Sequence, residues 1–107
     1  MTVRELAERV SCSICAGAQN MDKAVAGCYV CDLLSHAMSH VAKDNAWITV
    51  QNNINVIAVA VLTQAACVIL PEGIVPDDCT CAKAEEEGVT VLSSKWTACE
   101  IIAKLIQ

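Results

Sequence analysis

The chain has 107 residues, 55% of them apolar, with two Trp, one Tyr and no Phe; 12 acidic against 7 basic residues give a net charge of −5. That length allows one domain with a core of its own, and the core must be aliphatic. The acidic balance, the lack of any Lys/Arg cluster and the scarcity of aromatic faces exclude a nucleic-acid partner.

From the N-terminus, Thr2-Val-Arg-Glu5 reads as a capping box opening a helix to about Arg9. Its start has no basic region followed by an apolar one, which predicts no secretory signal and a cytoplasmic protein. Ser11–Ala16 alternates polar and apolar residues as a short strand. Ala24–Val30 is the next strand, and Asp32 is placed to cap a helix from Leu33 to about Ala42. Leu33, Leu34, Ala37, Met38 and Val41 share one face of that helix, with His36 and His40 on the other.

Ala46–Val50 is a strand, Gln51-Asn52-Asn53 a polar loop, and Ile54–Ala66 a helix with almost no polar face. The apolar stretch from Ile54 to Leu70 is too short and too interrupted by Asn55, Thr63 and Gln64 to span a bilayer. Cys67–Leu70 suits a strand buried on both sides. After the loop Pro71–Pro76, Asp77 or Asp78 caps a polar helix stopped by Gly88. Val89–Leu92 is the last strand, Ser93-Ser94 the next cap, and Lys95–Ile106 the closing helix.

Strand and helix alternate from residue 25 onward. The expectation is a three-layer α/β domain: a mostly parallel sheet of about five strands, helices on both faces, and Ser11–Ala16 at an edge. In such a sheet the loops after the strand C-termini form one rim, where helix N-termini point their free amides. The rim residues Asp32, Thr49, Gln51, Asn52, Asn53, Glu72, Ser93 and Ser94 are the candidate ligand contacts. Gln51-Asn52-Asn53 leads them, because three consecutive amides exceed what one helix cap requires.

Catalytic signatures are missing. The four glycines form neither a dinucleotide fingerprint nor a phosphate loop, and Lys95 is the only basic residue near the rim. His36 and His40 lie a turn or more from Asp32, too far along the helix to activate a rim nucleophile. They read as solvated surface histidines, and no cofactor is implied.

Eight cysteines remain to be weighed. Without export they are expected to be thiols. Cys12/Cys15 and Cys28/Cys31 supply four ligands for zinc or an iron–sulfur cluster if the first two strands pair. Against that reading, residues i and i+3 of a strand point to opposite faces. Packing thiols are the preferred reading, and a metal or redox site is the alternative. Cys79 and Cys81, at the start of a helix, are the expected reactive pair.

The stretches Gly27–Ser35, Ala46–Gln51, Asn55–Ala60, Ile69–Gly73 and Gly88–Ser93 resemble the small stand-alone members of the DRTGG-domain family, whose fold is similar to the N-terminal domain of HPr kinase. Related domains are appended to some phosphotransacetylases and to regulatory-domain pyrophosphatases. The resemblance therefore implies a regulatory or dimer-forming module, with catalysis in the attached domain. The Asp-Arg-Thr-Gly-Gly string itself is absent; its loop corresponds to Gln51-Asn52-Asn53, so no role for that arginine carries over. Small members are similar to proteins found in anaerobes beside hydrogenase and iron–sulfur proteins, which fits the high thiol content without requiring a cluster; an alternative function is an interaction subunit that docks an iron–sulfur oxidoreductase through its acidic surface. The expected function is thus a non-catalytic regulatory or ligand-sensing module for a small anionic metabolite or nucleotide. The apolar circumference of Ile54–Ala66 points to a homodimer.

Overall fold

The capping box forms as the sequence dictates. In the computed structural model, which describes residues 1–107, Thr2 Oγ1 accepts the Glu5 amide at 3.2 Å while Glu5 Oε1 accepts the Thr2 amide at 3.1 Å. They start α1 (Val3–Arg9), followed by β1 (Cys12–Ala16), β2 (Gly27–Val30), α2 (Leu34–His40), β3 (Asn45–Ile48) and α3 (Asn55–Thr63). The chain closes with β4 (Cys67–Leu70), α4 (Asp78–Glu87), β5 (Val91–Ser94) and α5 (Ala98–Leu105).

The five strands form one sheet in the order β1-β5-β4-β3-β2. β2, β3, β4 and β5 run parallel, and β1 pairs antiparallel with β5, setting Cys12 opposite Ser94. Helices cover both faces. Ala37 of α2, Val56, Ile57 and Ala60 of α3 and Ala84 of α4 belong to one apolar cluster; Leu6 of α1 and Ile101 of α5 belong to the other. β4, an apolar run, and β5, which ends on Ser93 and Ser94, are both buried throughout, as strands covered on both faces should be. Trp47 is fully buried on β3, and its indole Nε1 donates to the Cys31 carbonyl at 2.9 Å.

Gly17 is required where the chain leaves β1. Its φ is +74°, and a Cβ there would overlap the Val89 carbonyl and the Thr90 backbone. The Thr90 hydroxyl donates to the Gly17 carbonyl at 2.7 Å, which fixes that close approach.

Several boundaries differ from the sequence reading. β3 ends at Ile48, so Thr49 and Val50 belong to the rim. β2 begins at Gly27 because the Val25 amide is taken by the Met1 carbonyl. α3 stops at Thr63, where Gln64 turns left-handed with φ 59°. Ser93 and Ser94 are the end of β5 and not a cap; Thr97 caps α5 in a second capping box with Glu100. On α2 only Ala37 is buried, while Leu33 and Met38 are exposed.

Candidate functional site

The rim at the C-terminal ends of β2–β5 divides into two halves. Over β2 and β3, the polar groups bond to one another. Asp32 does not cap α2: its Oδ1 accepts the Thr49 hydroxyl at 3.0 Å and the Val50 amide at 2.9 Å, across the strand boundary. Thr49 Oγ1 in turn accepts the Gln51 amide at 3.1 Å, and Gln51 Nε2 donates to the Asp32 carbonyl at 3.0 Å. Asn53 Oδ1 accepts the Asn55 amide, and Asn53 Nδ2 donates to Gln51 Oε1. Asn52 Nδ2 donates to the Val75 carbonyl at 2.9 Å, tying this loop to the one after β4. The leading sequence candidates are therefore brought together, but as a self-satisfied network that shapes the β3–α3 loop. Beneath it Thr80 is buried, and its hydroxyl has no partner.

Over β4 and β5 the rim opens. Glu72 (φ 59°) and Gly73 (φ 74°) are both left-handed, and the Ile74 amide closes the turn onto the Pro71 carbonyl at 3.1 Å. The Gly73 amide donates to the Ser94 carbonyl at 2.8 Å. The two serines serve structure: Ser93 Oγ donates to the Ile74 carbonyl at 2.6 Å and Ser94 Oγ to the Val10 carbonyl at 2.8 Å. Beside them lies a cleft of about 480 Å³, within the size range of small-molecule sites. Ser11, Cys12 and Ser13 of the β1 start, Gly73 and Val75, and Ser93, Lys95 and Trp96 of the β5 end line it. Not one carboxylate side chain is among them, in a chain with 12 acidic residues.

Ser11, Ser13 and Trp96 line this cleft and are not among the residues the sequence reading names. They meet only because β1 runs antiparallel to β5, a long-range pairing with no local signal. Lys95 had a visible signal as the one cation near the rim.

The thiols do not converge. β1 and β2 occupy opposite edges of the sheet, four strand spacings or about 19 Å apart. Each pair is also split: Cys12 and Cys28 pack against one apolar cluster, Cys15 and Cys31 against the other. The four-ligand alternative at Cys12, Cys15, Cys28 and Cys31 is corrected on that geometry. Burial pushes the Cys12 thiol up to about 12, with neighbouring Cys15 adding to the effect, and it pushes fully buried Cys67 up to about 12 as well. At the α4 N-terminus, burial and then Asp78, Asp77 and Glu85 raise the Cys81 thiol, the opposite direction from the activation expected of a helix start. His36 and His40 are exposed as expected. Their rings stack at 3.7 Å, and the Tyr29 hydroxyl lies 3.1 Å from His36 Nε2.

The DRTGG domain profile matches residues 5–107. The chain belongs to the DRTGG domain family. Its fold matches, with a TM-score of 0.75 and 11% identity, a crystal structure of the CBS and DRTGG domains of the regulatory region of Clostridium perfringens pyrophosphatase, complexed with the activator diadenosine tetraphosphate. The match covers 99% of this chain and 46% of that one, so this DRTGG domain spans less than half of that regulatory fragment. A search of curated proteins finds no match. No helix of the domain is long and apolar enough to cross a membrane.

Proposed function

We propose that this DRTGG domain is a non-catalytic, cytoplasmic regulatory module that binds a small anionic metabolite or nucleotide at the strand C-terminal rim. The cleft at Ser11–Ser13, Lys95 and Trp96 carries the reading: it combines one ammonium group, the unpaired Ser11 hydroxyl and no lining carboxylate. Cys12, its thiol, is held protonated by burial and is a poor nucleophile. Neither histidine lines the cleft. The fold shared with a regulatory region that holds a nucleotide activator supports the same reading.

The module works as a homodimer. α3 buries Val56, Ile57, Val59 and Ala60 but leaves Ile54 (41%), Val61 (44%) and Leu62 (64%) exposed, one apolar stripe at helical spacing. Sedimentation at tens of micromolar (roughly the range of a moderate dimer) should give two chains. A monomer there would assign the stripe to another protein, and the oxidoreductase partner becomes the reading to pursue.

A thermal-shift screen with nucleotides and small anions tests the ligand reading. A ligand at 100 times its dissociation constant adds about 2.7 kcal/mol of stability and raises the melting temperature accordingly. The absence of a shift with every nucleotide and anion contradicts the sensing role and leaves the docking role.

A further inference from the structure

We infer that the cleft takes a nucleoside monophosphate, with its single phosphate on Lys95 and its base against Trp96. This deepens the ligand reading above and rests on it. The argument is one of counting. Lys95 is the only cation among the lining residues, and the chain as a whole carries net charge −5. One ammonium group answers one phosphate; a polyphosphate chain would bring several further charges into an acidic protein with nothing to meet them. The Ser11 hydroxyl, exposed just before β1, is free to donate to phosphate or ribose oxygens, while Ser13 Oγ donates to the Ser93 carbonyl at 3.4 Å and can still accept.

The ring has one partner. Trp96 is half-buried and packs partly against the α1/α5-side core while lining the cleft. Its backbone is fixed from both sides: the Trp96 amide donates to Ser94 Oγ at 3.2 Å, and its carbonyl accepts the Glu72 amide at 2.8 Å. One anchored indole stacks one base, whereas a strand of bases needs a series of such faces. The cleft, at about 480 Å³, has room for a mononucleotide. The ligand class therefore differs from the dinucleotide tetraphosphate of the pyrophosphatase regulatory region.

The test is titration of the intact chain with AMP, adenosine, ribose 5-phosphate, inorganic phosphate and diadenosine tetraphosphate, read by calorimetry and by tryptophan emission. Trp47 is fully buried, so a ligand-dependent change reports Trp96. AMP should bind at least tenfold tighter than either adenosine or ribose 5-phosphate and should alter the emission. Lys95→Ala should weaken AMP tenfold or more while leaving adenosine unchanged, and Lys95→Arg should restore most of the loss. If ribose 5-phosphate binds as tightly as AMP, the base contact is wrong while the anion reading stands. If diadenosine tetraphosphate binds more than tenfold tighter than AMP, the single-phosphate count is wrong. If adenosine matches AMP and Lys95→Ala changes neither, the phosphate contact and the anion reading fall together. If no compound binds, the proposal is overturned, and the wider thermal-shift screen alone decides the anion reading.

Discussion

The two halves of the rim carry similar small polar residues and use them in opposite ways. Over β2 and β3, Asp32, Thr49, Gln51 and Asn53 bond to each other and to the loop backbone. Over β5, Lys95 and the serines of the β1 start face a cleft that no carboxylate lines. An amide-rich loop is thus no sign by itself of hydrogen-bonding groups left free for a ligand. Polar side chains at a rim signal a ligand only when their hydrogen bonds are not already taken.

Breaking the tied half should cost stability and spare binding. Thr49 is 1% exposed, and its hydroxyl both donates to Asp32 and accepts the Gln51 amide. Thr49→Val keeps the shape and orphans that amide, so it should lower unfolding stability by about 2 kcal/mol in urea titration. AMP affinity should stay within twofold of the parent.

A smaller effect of opposite sign is expected from Thr80→Val. The Thr80 hydroxyl lies under the tied half, buried and unpartnered. Replacing it with a methyl group removes an unsatisfied polar atom, and stability should rise by about 1 kcal/mol. An unchanged or lower urea midpoint would show that the hydroxyl has a partner after all.

The architecture was legible because its signals are local. Short apolar runs mark β3, β4 and the start of β5, and Thr2/Glu5 and Gly88 punctuate α1 and α4 where the structure has them. The end of β5 was hidden because Ser93 and Ser94 look like cap residues; their hydroxyls are satisfied by the Ile74 and Val10 carbonyls, contacts 19 and 84 residues away in sequence. The α5 cap was present in the sequence as Thr97-Ala-Cys-Glu100, one turn later. The sheet order has no local signature at all. Without it, the separation of Cys12/Cys15 from Cys28/Cys31 and the meeting of Ser11 with Lys95 and Trp96 could not be read.

The open half also makes a chemical prediction. Cys12 lines the cleft with its thiol raised to about 12 by burial, and Cys67 matches it. At pH 8 an aromatic disulfide reagent should react first with exposed Cys79 and Cys99 and should spare Cys12 and Cys67 until the chain unfolds. Both thiol pKa values are raised above the ordinary 9.0, so the linked stability is fully present below pH 9.0 and lost as pH rises toward about 12. At the acid end the sign reverses. Hydrogen bonds from the Thr2, Thr80 and Thr97 backbone amides hold Glu5, Asp77 and Glu100 below their ordinary values. Their contribution is present above the ordinary carboxylate range and is lost as pH falls through the depressed values. Melting temperatures across both limbs check both signs; all three carboxylates are on the surface, so the acid limb should be shallow.

The division of the rim is tested most directly by amide chemical-shift mapping of the isotopically labelled chain during titration with AMP. Shifts that saturate together at Ser11–Ser13, Gly73 and Ser93–Trp96, with Gln51–Asn53 left nearly still, are the predicted result. Shifts centred on Asp32 and Gln51–Asn53, or no saturable shift at any amide, would contradict it.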